Sequence, residues 1–168
     1  MYDTPLTTDE IVRRLTQQPK IIAALTAGMS ERRLHRRPSA HEWAVNDVLA
    51  HLRSCGDMWG KYIALMLAED HPSFRAVNPT TWIESTDYPE LAFAPSFRAY
   101  SKQRAELTRL LRALRPQGWT RSAMVSGAGR PRERRVQEYA LWLANHERSH
   151  LRQIARLAGR DHFSRDRT

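Results

Sequence analysis

The chain is poor in cysteine, lysine and long apolar runs. Cys55 is the sole cysteine, so no internal disulfide forms, which agrees with a reducing compartment. No stretch reaches the roughly 20 apolar residues of a membrane span. The opening "MYDTPLTTDE" has neither a basic n-region nor an apolar h-region, so the expectation is a cytoplasmic protein with no membrane segment. Only Lys20, Lys61 and Lys102 supply lysine, and arginine makes up the rest of 27 basic residues against 18 acidic ones, a net charge of +9. That excess raises the question of nucleic acid, with "ERRLHRR" (31–37) and "GRPRERR" (129–135) as the densest clusters. Neither accompanies a helix-turn-helix, a zinc finger or an RNA-binding motif, so a solvated basic face is the better reading. No internal repeat is visible, and at 168 residues the length suits one domain.

What the chain does have is helical periodicity, with no convincing strand. A first helix runs from about Thr8 to Gly28 on Ile11, Leu15, Ile22 and Leu25, with Pro19 expected to kink or split it. A second begins at Asn46 as N-cap and carries Val48, Leu52, Cys55, Trp59, Tyr62 and Met66 on one face. Residues 70–92 hold three prolines and no period, and Phe74, Trp82 and Tyr88 favour a packed cover. A third helix spans about Phe93 to Arg115, with Arg104 in its inner stripe. The stretch from Trp119 to Arg135 is broken by two glycines and Pro131, and a fourth helix runs from about Glu133 to Leu157, stopping at Gly159. The expected fold class is all-α, with a domain over 1–159 and a charged tail over 160–168.

The fourth helix contains His146-Glu147-Arg148-Ser149-His150, which spells H-E-x-x-H. Histidines four apart project from one helix face, about 6 Å along the axis, and two neutral imidazoles so placed can share a metal ion. Core histidines satisfied by carbonyls and waters are the other reading, and spacing alone leaves both open. His51, between Val48 and Cys55 on the inward side of the second helix, is a third ligand if those helices pack together. A zinc peptidase is disfavoured: Gln153 stands where the extended motif has glycine, Arg156 where it has histidine, and no strand is evident to bind a peptide.

"RPSAHEWAVNDVLAHLRS" and "YALWLANHERSHLRQI", with the segments between them, resemble the DinB/YfiT-like superfamily over about Leu6 to Gly159. The resemblance implies a four-helix bundle with a long connection between helices 2 and 3. It also implies one divalent metal, zinc or nickel, held by His51, His146 and His150, and often a homodimer. Members include transferases and isomerases that use low-molecular-weight thiols, proteins regarded as metal-dependent hydrolases, and stress-induced proteins with no assigned activity. The implied function is thus a metal-dependent thiol transferase or hydrolase acting on a small molecule, or a non-catalytic protein whose metal site is structural or vacant.

Three neutral nitrogens leave an open metal position, which fits either activation of a thiol or of a water. Glu147 is the candidate base, with pairing to an arginine as its alternative. Cys55 is a neighbour of the metal or a packing residue. Arg104 binds an anion or snorkels from the stripe's edge, and Gln153 is expected to hydrogen-bond around the site.

Overall fold

The computed structural model describes residues 6–127 and 129–160. The first helix, α1 (Thr8–Thr26), opens on a reciprocal cap: Thr7 Oγ1 accepts from the Glu10 amide at 3.3 Å, and the Thr7 amide donates to Glu10 Oε2 at 2.8 Å. It runs through Pro19 without a break, because Ile11 and Leu15 before the proline and Ile22 and Leu25 after it are all buried on one stripe. Ser30 caps the short α2 (Glu31–Leu34). The second long helix, α3 (Val45–Ala68), has Ala44 as its N-cap, two residues before the expected Asn46. Asp47 explains the shift: its carboxylate accepts from the Ala44 amide at 2.9 Å and pairs with Arg37 at 2.8 Å. Asn46 is buried, and its Nδ2 donates to the carbonyls of Pro89 and Leu91, tying down the following connection.

That connection, residues 69–92, holds β1 (Ser73–Arg75), α4 (Pro79–Trp82) and a 3-10 turn at Ile83–Ser85. It is packed at Phe74, stacked on Tyr62 at 4.4 Å between centroids, and at Tyr88, whose hydroxyl donates to Asp57 at 2.8 Å under the Arg53 guanidinium. Trp82 stays partly exposed. Next come α5 (Phe93–Arg112), α6 (Pro116–Thr120), β2 (Ser122–Ser126), β3 (Arg132–Arg135) and α7 (Val136–Leu157).

The four long helices form a bundle in which α1 and α3 each pack on both α5 and α7. Its core falls into two clusters. One holds Ile11, Leu15, Cys55, Met66, Leu111 and Leu143; the other holds Ile22, Leu49, Leu52, Tyr100 and Ile154. His51 lies between Val48 of the second cluster and Cys55 of the first in sequence, so it stands where the two clusters meet.

The chain is mostly helical, but the expectation of an all-α fold fails at one place. A three-stranded sheet, ordered β1-β2-β3, pairs β2 in parallel with β1 and antiparallel with β3. The strands are three to five residues long, too short to show a period. Helix α7 consequently starts at Val136, and Glu133, expected inside it, belongs to β3. Gly127 and Gly129, read as helix breakers, have φ of 91° and 86° in the turn between β2 and β3.

Arg160, expected to begin a tail, instead donates to the carbonyls of Ala24 and Ala27 and fastens the end of α7 to α1. Residues 161–168 lie outside the described residues. No helix among the described residues is long and apolar enough to cross a membrane.

Candidate metal centre

Helices α3 and α7 are neighbours in the bundle, and their packing brings His51 to His146 and His150. Nε2 of His146 lies 3.1 Å from Nε2 of His51 and 3.1 Å from Nε2 of His150. The three rings sit 4.5 to 5.0 Å apart between centroids and are mutually tilted. His51 is 8% exposed, and the other two are half-buried.

Two tryptophans wall the cluster. Trp43, just before α3, stacks on His150 at 6.1 Å and tilts against His51 at 5.1 Å. Trp59, two turns beyond His51 on α3, stands edge-on to His146 at 5.2 Å. The sequence places Trp59 on the apolar stripe and Trp43 in the motif before His51, and neither position by itself assigns a ring to the histidines. The spacing of Trp43, eight residues before His51, was the available signal.

Protons alone do not satisfy this arrangement. His150 Nδ1–H donates to Gln153 Oε1 at 2.9 Å, which leaves Nε2 of His150 as a lone pair facing the cluster. Nε2 of His146, whichever tautomer it adopts, cannot donate to both neighbours. Its Nδ1 is buried with no partner among the described residues, so one buried nitrogen is unpaired in any assignment. Burial holds both His51 and His146 down at about 4, and the charge of His150 adds to this; His150 is also lowered by burial, with the Gln153 bond opposing. All three are therefore neutral at physiological pH, the state in which imidazole binds a metal.

The donor set fits a divalent cation. Metal–nitrogen distances of roughly 2.0–2.1 Å place neighbouring nitrogens about 2.9 Å apart on an octahedral face and about 3.3 Å apart in a tetrahedron. The two 3.1 Å separations lie between these values. Cys55 approaches as well, with Sγ 3.5 Å from Nε2 of His51, and the ligand atoms of His51, Cys55 and His146 all lie within 4.8 Å of one another, which makes the thiol a further candidate ligand. Burial, reinforced by the charge of Glu147, pushes the Cys55 thiol up to about 12, and in the protein alone it is uncharged.

Glu147 and Arg104 are in contact with each other. Glu147 has no exposed surface; Oε1 accepts from Nη2 of Arg104, and Oε2 accepts from the Tyr100 hydroxyl at 3.1 Å. Arg104, 1% exposed, neither snorkels nor faces a ligand at the surface. Burial raises the Glu147 pKa, and Arg104 and Tyr100 oppose that rise. Gln153 sits where sequence reasoning expected it, holding His150.

Comparison with known proteins agrees with this architecture. A solved structure, YfiT from Bacillus subtilis, described as a probable metal-dependent hydrolase with an unusual four-helix bundle topology, superimposes with a TM-score of 0.78 at 19% identity. The match covers 95% of this chain and 91% of that one, and at this identity it speaks for the fold. No curated protein matches significantly. The family model of the DinB superfamily matches residues 14–154, most of the chain and all three histidines, and the protein belongs to the DinB superfamily.

Proposed function

We propose that the protein is a metal-dependent enzyme acting on a small molecule, with His51, His146 and His150 as the metal ligands. What carries this reading is the meeting of histidine Nε2 atoms from two helices, with Nε2 of His146 lying 3.1 Å from those of both His51 and His150. The description of YfiT as a probable metal-dependent hydrolase supports the same class of chemistry. Zinc or nickel in a three-nitrogen site with a free position supplies Lewis-acid activation of a thiol or of a water.

The chain's own residues do the rest. Gln153 holds the proton of His150 on Nδ1, keeping Nε2 available. Trp43 and Trp59 fix the planes of the rings and limit water around them. The buried Glu147–Arg104 pair anchors α7 to α5 one residue from a proposed ligand, so Glu147 acts as a positioning residue in this account. Its carboxylate oxygens are already engaged, which argues against a role as free base.

The test is metal content of purified wild type and His51→Ala, followed by turnover. One metal per wild-type chain, lost in a variant that keeps its helical spectrum, is expected. Metal-loaded protein is then offered thiols such as glutathione with an electrophile, and separately a panel of esters and amides. A rate above the free thiol or buffer in either arm, abolished by His51→Ala, supports the enzyme. Stoichiometric metal with no turnover, and a fall in thermal stability when it is removed, points instead to a site that holds α3 to α7.

A further inference from the structure

A cavity of about 360 Å³, within the size range of small-molecule sites, is linked to the histidines through Trp59, which lines it. Its wall is aromatic: Trp59 and Tyr62 from α3, Tyr139 and Trp142 from α7. Trp59 belongs to both places, since its ring also abuts His146 at 5.2 Å. Trp142 lies one turn before His146 on α7 and is 37% exposed, an unusual position for so large an apolar ring.

The opposite wall is the β2–β3 hairpin, and it carries arginine where an apolar residue is expected. Ala123 pairs with Arg134 and Val125 with Arg132, and directly paired residues share a sheet face. Ala123 and Val125 are buried, so Arg132 and Arg134 are on the face turned toward the core and the cavity. Glu133, on the other face, bonds Ser122 at 2.6 Å. Arg134 is committed, bonding Glu138 at 3.0 Å and lying 4.7 Å over the Trp142 ring. Arg132, and Arg130 from the turn, also line the cavity, and neither has a carboxylate partner among the described residues. The lining contains no acidic residue.

From this geometry we infer that the cavity binds a small organic anion with a planar apolar body. Its carboxylate or equivalent acid group is held by Arg130 and Arg132, its body lies between the aromatic rings, and its other end points to Trp59 and the histidines. Guanidinium forks recognise carboxylates with two parallel hydrogen bonds, and the tryptophan faces supply stacking. This gives the proposed enzyme its substrate class, and the reactive role of the far end rests on the metal reading above. The anion site itself does not.

The test uses 2-naphthoate and its uncharged amide, 2-naphthamide, titrated calorimetrically into metal-loaded wild type. Naphthoate is expected to bind at least tenfold more tightly, with the advantage shrinking as salt rises. Arg130→Gln/Arg132→Gln, both on the surface and safe for folding, removes the preference; Trp142→Ala weakens both compounds. Equal affinity for the two compounds, an undiminished preference in the double variant, or no naphthoate binding at 10 mM overturns the inference. His51→Ala separates the two claims. Charge preference retained by this variant leaves the anion site standing even where the metal assignment fails; charge preference undiminished in the arginine variant, with metal retained, has the reverse meaning.

Discussion

His146 turns Nε2 toward two other imidazoles at 3.1 Å in a half-buried cluster, whereas Glu147, the next residue, has no exposed surface and gives its carboxylate to Arg104 and Tyr100. The two side chains leave the helix about 100° apart. One turn of α7 therefore serves two neighbours, with His146 facing α3 and Glu147 facing α5. The histidines are neutral, only partly satisfied by protein, and open to a ligand. Glu147 sits in an ion pair that nothing outside the bundle reaches. Letters that spell a peptidase motif thus divide into a candidate centre and a structural anchor.

The largest effect expected from breaking this division is on the anchor. Glu147→Ala leaves Arg104 charged and buried, with Nε and Nη1 already lacking partners, and removal of one member of a buried pair costs about 3–5 kcal/mol. Denaturant unfolding measures it. A Glu147→Gln variant that keeps stability and metal but loses turnover would make this carboxylate a base instead of an anchor.

The histidine side is sharpened by pH. His51 and His146 titrate at about 4 in the folded protein against 6.5 for the free group, so below 6.5 the unfolded chain takes up protons that the native state refuses. Stability of the metal-free protein is expected to fall as pH drops from about 6.5 to about 4. The loss is expected to be smaller in His51→Asn/His146→Asn. Unfolding curves at stepped pH for both proteins read the difference; parallel profiles would mean the imidazoles are not buried as described.

Gln153→Ala is expected to weaken metal binding by about 10- to 100-fold, the usual effect of losing a partner that orients a ligand, while the unfolding midpoint of the metal-free protein stays close to wild type. Competition with a chelator reports the affinity. The smallest effect is remote from both regions: Thr7→Ala removes the α1 cap at a cost of about 1 kcal/mol, with metal affinity unchanged.

The helices were legible because Ile11, Leu15, Ile22 and Leu25, or Val48, Leu52 and Cys55, repeat at the helical period and are all buried. The pairing of His51 with the later histidines was legible from their positions on two inward stripes. The strands were not, since "RERR" in β3 shows no apolar alternation and takes its conformation from pairing with β2. Nor was the Arg104–Glu147 pair: it depends on α5 meeting α7 at matching heights, which no spacing within either helix encodes. Asn46 misled in a similar way, being a good cap in isolation but needed to hold Pro89 and Leu91.

X-ray absorption at the metal edge of zinc-loaded protein tests the central claim most directly. A shell of three imidazole nitrogens at about 2.0–2.1 Å, reduced in His150→Ala, is the predicted result. A sulfur neighbour at about 2.3 Å, which Cys55 alone is placed to supply, or a shell of oxygen without imidazole, would contradict it.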